Sequence, residues 1–251
     1  MRRTVGIIGG MGPEATADIF RKIIRATPAC GDRDHLRILV DNNPAIPDRL
    51  AAIHGHGPDP TPVLTEMAVN LEKAGAELLA MPCNTAHYFY PAIRAAVGVP
   101  VLHIMEETAT LLFNDLRGRR KVGLLATDGT IETGLYHRAL ERRRLEVVVP
   151  DEEHQALVMN CIYEPTGVKA GQYRRPRVWL RRVMAHLAAR GAEVLVLGCT
   201  ELPLLFNDGY PGPIKTFTLP QGGSIPVVDA TEVLASAVVR EALRDDRRAQ
   251  V

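Results

Sequence analysis

Short apolar runs and longer stretches of helical periodicity alternate along the chain from its first residues. Thr4 to Ile8 is a strand-like run ended by Gly9-Gly10-Met11-Gly12, after which Pro13-Glu14-Ala15-Thr16 opens a helical pattern with proline in its first turn. Leu36 to Val40 predicts a second buried strand, which delivers Asp41-Asn42-Asn43-Pro44 and Pro47-Asp48-Arg49 into a loop. Leu64, Met67, Ala68 and Leu71 recur at amphipathic spacing within Pro62 to Ala74, and the chain then enters an apolar strand before Cys83. Beyond it, Asn84-Thr85 stand at the N-cap of a helix over Tyr88 to Val97, followed by a strand over Val99 to Ile104 and a helix over Glu106 to Leu116. The second half continues with a strand over Lys121 to Ala126, a helix over Glu132 to Arg143 and a strand over Leu145 to Val149. Helices over Glu152 to Cys161 and Arg177 to Arg190, a Gly/Pro-rich loop over Asn207 to Ser224, a strand at Val227 and a helix over Thr231 to Leu243 complete the pattern.

The two halves repeat one another. Gly75-Ala76-Glu77 and Gly191-Ala192-Glu193 each run into an apolar strand, and in both a cysteine, Cys83 or Cys199, stands eight residues after the glycine. Val5-Gly6-Ile7-Ile8 answers Val122-Gly123-Leu124-Leu125 upstream, and Val99-Pro100-Val101-Leu102 answers Ile225-Pro226-Val227-Val228 downstream. Such self-similarity indicates an internal duplication. Strands alternating with helices throughout predict an α/β fold: two similar, doubly wound parallel-sheet domains related by a pseudo-twofold axis, with the active site in the cleft between them. Because the last strand and helix of each half can pair with the other half, the expected domains are 1–103 plus 219–251 and 104–218.

Composition narrows the function classes. At 251 residues and 46% apolar content the chain can bury a core, and a net charge of +1 leaves no electrostatic footprint for nucleic acid or an anionic membrane. The runs Arg142 to Arg144 and Arg174 to Arg182 read as solvated helix faces with glutamate partners such as Glu141 and Glu146. No apolar run reaches a membrane span, and Val5 to Ile8 is too short and too soon broken by glycine to read as a signal peptide, so a cytoplasmic location is expected. Cys30, Cys83, Cys161 and Cys199 lack metal-binding or disulfide-scaffold spacing and read as free thiols, while His54-Gly55-His56 reads as a turn with no metal.

Two thiols at equivalent strand-to-helix corners define a specific chemistry. Facing each other, they would place a sulfur on either side of a ligand carbon, one a thiolate that removes a proton and the other a thiol that returns one, which inverts the stereocentre. N–H groups at both helix starts favour the thiolate form. With each sulfur in near-attack contact the pair would stand about 6 to 8 Å apart. The competing reading is that both are ordinary buried cysteines, a common fate of free cysteine.

At these residues the chain resembles a known family. Gly9-Gly10-Met11-Gly12-Pro13-Glu14-Ala15-Thr16, Pro47-Asp48-Arg49, Pro82-Cys83-Asn84-Thr85-Ala86-His87 and Gly198-Cys199-Thr200-Glu201-Leu202 look like signatures of the aspartate/glutamate racemase superfamily, and most like its aspartate racemases. The resemblance implies a cofactor-independent two-base racemase with Cys83 and Cys199 as the acid/base pair and a dicarboxylic amino acid as substrate. It further implies that Asn84, Thr85 and Thr200 hold the α-carboxylate and ammonium, with Thr127 and Thr130, Met11 and Glu201 in the same pocket. Arg49 and Lys169 match positions that engage the side-chain carboxylate, as a bidentate fork and a mobile charge would. A homodimer is the family-like expectation, and His87 and Asp48 either orient neighbouring groups or simply pack.

Three alternatives stand beside this reading. Gly10-x-Gly12-x-x-Ala15 with Asp41 resembles a dinucleotide-binding fingerprint, although Glu14 lies where a pyrophosphate would approach and the paired cysteines go unexplained. A broader-specificity racemase or a related cis-trans isomerase fits the same scaffold, and so does a small-acid binding protein without turnover.

Overall fold

The computed structural model describes residues 2–116, 118–206 and 212–244. The chain divides into two compact units, the first running to Glu107 and resuming at Leu234, the second spanning Thr108–Val233. Among the described residues no helix is long and apolar enough to cross a membrane.

In chain order the first unit holds β1 (Val5–Gly9), α1 (Pro13–Ala26), β2 (Ile38–Asn42), α2 (Arg49–Ile53), α3 (Thr61–Lys73), β3 (Leu78–Ala80), α4 (Tyr90–Ala96) and the start of α5 (Ile104–Asp115). Its sheet is parallel in the order β2-β1-β3, and Val101 bridges Leu79 on the far side of β3. The second unit holds the remainder of α5, then β4 (Lys121–Leu125), α6 (Asp128–Glu132), α7 (Leu135–Glu141), β5 (Glu146–Val148), α8 (Glu152–Tyr163), α9 (Arg174–Ala189), β6 (Val194–Leu197), β7 (Ile214–Thr218) and β8 (Ser224–Asp229). Its strand order is β5-β4-β6-β8-β7, all parallel except the edge strand β7. Last comes α10 (Ala230–Ala242), which begins in the second unit and ends in the first.

The duplication is visible atom by atom. A Cβ on Gly6 would stand 2.5 Å from Leu79 Cδ2 and 3.0 Å from Ala76 Cβ; on Gly123 it would stand 2.6 Å from Leu195 Cδ2 and 3.0 Å from Ala192 Cβ. Only glycine lets the first strand of each unit meet its central partner so closely. The glutamate of each Gly-Ala-Glu triplet ties the same corner: Glu77 N–H donates to Thr4 O while Thr4 N–H donates to the Glu77 carboxylate at 2.8 Å. In the second unit Glu193 N–H donates to Lys121 O, and its carboxylate accepts from Arg120 and Lys121 N–H at 2.6 and 2.9 Å.

Several expectations are corrected. The C-terminal crossing between units lies at Val233/Leu234, not near residue 219, because β8 adds to the second sheet beside β6. The first crossing lies within α5, between Glu107 and Thr108. The helix expected over Glu132 to Arg143 begins only at Leu135, after Gly134 with its left-handed φ of 64°, and the residues before it form a short helix of their own, α6. The loop expected over Asn207 to Ser224 includes β7, a hairpin partner of β8, while residues 207–211 lie outside the described residues. The helix expected after Cys83 is present as α4, but the residues next to each cysteine form a short 3₁₀ segment, Thr85–Phe89 or Leu202–Leu205, so fewer aligned N–H groups stand there than the pattern predicts.

Candidate active site

Both cysteines lie just beyond the C-terminal end of a central parallel strand, the edge of an α/β sheet where ligands bind. In the first unit β3 ends at Ala80, and Cys83, 6% exposed, joins Met11, Ile46 and Met81 in one buried cluster. Asn84 and Thr85 follow, both buried. The loop after β1, which carries Met11, is shaped by Thr16, whose hydroxyl accepts from Gly10 N–H at 2.9 Å and donates to Gly12 O at 3.0 Å. Arg49 opens α2 behind its cap Asp48, and its guanidinium donates to the carbonyls of Pro47 and Ile46 at 3.1 and 3.4 Å.

His87 holds this corner in place. Its Nε2 accepts the Ile104 N–H at 3.2 Å, which leaves Nδ1 as the protonated nitrogen, 2.8 Å from the Cys83 carbonyl to which it donates. Burial, with His103 edge-on at 4.8 Å between ring centroids, pushes the His87 pKa down to about 3, so the ring is neutral. Of the two roles open to His87, orienting a neighbour or simply packing, these bonds supply the first.

In the second unit the register Leu125↔Leu197 aligns the ends of β4 and β6, and Thr127 and Cys199 each stand two residues beyond. Thr127 caps α6, its hydroxyl 3.1 Å from that of Thr130, and both threonines are buried. Glu201 links the other polar groups. Its Oε2 accepts from Cys199 Sγ at 3.1 Å and from Thr200 Oγ1 at 3.3 Å, while its Oε1 accepts from Lys169 Nζ at 2.8 Å. Burial and then the Glu201 charge raise the Cys199 pKa well above the ordinary thiol range, so Cys199 carries its proton.

The first unit thus gathers Met11, Cys83, Asn84 and Thr85, and the second joins Lys169, Glu201, Thr200 and Cys199 in one chain of contacts, with Thr127 and Thr130 at the adjacent strand end. Arg49 and Lys169, read from sequence as cations for a substrate carboxylate, both have partners already: backbone carbonyls for Arg49, Glu201 for Lys169. Two features escaped the sequence. Tyr136, fully buried, was one apolar position of a helical pattern, yet it packs beside the residue before Cys199: a Cβ on Gly198 would stand 3.1 Å from Tyr136 Cε2, and burial raises the Tyr136 pKa. Asp151, His154 and His186 converge outside the site, with the His154 and His186 rings stacked 3.7 Å apart and 10° from parallel. Asp-x-x-His at a helix start signals the first two, but nothing in sequence points to His186. Cys161, the other buried thiol, is pushed by burial up to about 12 and donates to Pro176 O.

Two α/β units of repeated design each carry a buried cysteine just beyond the end of a parallel strand, the plan of a duplicated α/β protein. The Asp/Glu/Hydantoin racemase family matches residues 8–238, and the chain belongs to this family of isomerases. An aspartate racemase structure from Picrophilus torridus is similar with a TM-score of 0.76 and 30% identity, covering 96% of this chain and 94% of the other. An aspartate racemase homologue from Pyrococcus horikoshii OT3 aligns with a TM-score of 0.70 and 27% identity over 96% and 99% of the two chains. A broad specificity amino-acid racemase from Bacillus subtilis (strain 168) is 28% identical over 94% of this chain and 96% of its own length.

Proposed function

We propose that this protein racemises an acidic amino acid, aspartate foremost, without pyridoxal phosphate or another cofactor, using Cys83 and Cys199 as its two acid/base groups. The observation that carries the reading is the pair of thiols at duplicated strand ends, in a chain whose family is one of racemases. Cys83, as thiolate, takes the α-proton of one enantiomer while Cys199 delivers its thiol proton to the opposite face of the same carbon. The product leaves with the protons exchanged, Cys83 as thiol and Cys199 as thiolate, and the reverse reaction starts from that state. The Cys199–Glu201 contact supports Cys199 as the proton-bearing partner at rest. Asn84, Thr85, Thr127, Thr130 and Thr200 supply polar groups for the α-carboxylate and ammonium. Arg49 and Lys169 exchange their present partners for the side-chain carboxylate, and Met11 lines the pocket. The working form is a homodimer that makes D-amino acids in the cytoplasm.

A second reading, broader specificity, is favoured by one observation: the Lys169 charge is already balanced by Glu201, which weakens selection for a second substrate carboxylate. A panel of kcat/KM values for aspartate, glutamate and neutral amino acids separates the two. For the mechanism itself, L-aspartate in deuterium oxide, followed by NMR, is expected to gain deuterium at Cα as the D-enantiomer appears. Cys83→Ser and Cys199→Ser should each lose racemisation by at least about a thousandfold. Full turnover in either variant would exclude the two-thiol mechanism.

A further inference from the structure

A cavity of about 500 Å³ opens in the second unit, where the end of α5, the turn at Gly118 to Arg120 and the end of α7 come together. Phe113, 57% exposed, and Leu145 belong to its apolar lining, while Arg119, Arg120, Arg143 and Arg144 supply the charge, with no carboxylate among the described lining residues. Arg143 is committed within the fold, donating to Ala139 O at 3.0 Å and Thr110 Oγ1 at 2.8 Å. The guanidinium groups of Arg119, Arg120 and Arg144 make no hydrogen bond or ion pair with any described residue. Glu193 lies close enough for the Arg119 charge to help lower its pKa, but its carboxylate is taken by the backbone N–H groups of Arg120 and Lys121. The glutamate partners that the sequence offers this arginine run do not close it off: Glu146 stands 4.0 Å from Lys121 instead.

Arg144 is the sharper observation. It has a left-handed backbone, φ 58°, the one non-glycine residue with positive φ among those described. Its N–H donates to Glu141 O, and the next N–H, of Leu145, reaches back to Leu140 O. The same closing pattern ends α3, where Gly75 donates to Glu72 O and Ala76 to Leu71 O, and α9, where Gly191 donates to Ala188 O and Ala192 to Leu187 O. At both of those ends the left-handed residue is glycine, the residue this turn prefers. At the third, an arginine stands at a conformational cost that glycine avoids. An outlier of this kind is a pointer to function.

We infer that this cavity binds a phosphorylated organic anion, its phosphates taken by Arg119, Arg120 and Arg144 and its flat apolar part lying on Phe113 and Leu145. Guanidinium forks match phosphate oxygens bidentately, and the volume suits a ligand of nucleotide size. A nucleoside triphosphate combines both parts, so ATP is the probe.

The test is isothermal titration calorimetry on the full chain at low salt with ATP, inorganic triphosphate and adenosine. ATP should bind more tightly than inorganic triphosphate, adenosine should give no signal, and affinity should fall as salt rises. Arg144→Gly should weaken ATP by at least about tenfold while the melting temperature stays level or rises, because glycine suits that backbone better. The exposed double variant Arg119→Gln/Arg120→Gln should lose binding as well. Equal ATP affinity in wild type and Arg144→Gly, or no binding by wild type at millimolar ATP, would overturn the inference. Inorganic triphosphate binding as tightly as ATP would overturn the assigned ligand class.

Discussion

At the scale of single residues, the two cysteines share a position in the fold and differ in their surroundings. Cys199 donates to a carboxylate, whereas Cys83 is held through its own carbonyl by His87. The negative charge on Glu201 disfavours a second negative charge on sulfur, so removing it should let Cys199 ionise at lower pH. In a Cys83→Ser background, with iodoacetamide labelling of Cys199 followed by peptide mass spectrometry, Glu201→Gln is expected to move the labelling profile towards lower pH. An unmoved profile would mean that Glu201 does not govern this thiol. His87 makes a different prediction, one about stability. Its folded pKa, about 3, lies below the roughly 6.5 of an unfolded histidine, so in the window between them the unfolded chain takes up a proton that the native chain refuses. Stability from this group is therefore complete above about pH 6.5 and falls by up to about 1.4 kcal/mol per pH unit as the medium is acidified. His87→Asn retains a donor and an acceptor but cannot titrate there. Urea midpoints measured between about pH 4 and 7 should fall less steeply in the variant than in wild type, and equal slopes would show that His87 is protonated in the native state.

At the scale of elements, what was legible followed from local pattern. The Gly-Ala-Glu triplet is readable because it repeats, and the structure shows why it must: Gly6 and Gly123 each admit a leucine side chain against the strand, and Glu77 and Glu193 each tie the strand's start to its neighbour. The positions of Cys83 and Cys199 just past their strands follow from the same repeat. The strand β7 was hidden because Gly212, Pro213 and the pair Gly222-Gly223 crowd a short run, and its pairing with β8 is a long-range choice that no local pattern states. The 3₁₀ segments after the cysteines were equally hidden. Asn84 is in helical conformation and makes no side-chain cap bond, so a residue type that favours caps does not act as one here. The contact between Glu201 and the Cys199 thiol, like that between His87 and Ile104, depends on how loops are folded back, and residue order alone does not encode it.

At the scale of the whole molecule, the strands stay with their own units while the final helices change sides. Val101 extends the first sheet and β8 the second, yet α5 passes from the first unit to the second and α10 from the second to the first. Each helix is thus one continuous element whose two ends belong to different cores, and fraying one end should be felt at the other. In α10 the end within the second unit is anchored by Asp229, fully buried, whose Oδ1 accepts the N–H groups of Thr231 and Glu232 at 2.9 and 3.1 Å. The other end contributes Leu234, Ala237, Val238 and Ala242 to the buried core, and Arg3 N–H donates to Ala242 O at 3.0 Å ahead of β1. Replacing Asp229 by alanine removes the anchor at a cost of about 0.5–2 kcal/mol. Amide hydrogen exchange should then quicken along α10 through Ala242 and in β1 of the first unit, as well as around the substitution. If faster exchange is confined to the few residues after Asp229, the two ends of α10 open independently, and the helix does not couple the units.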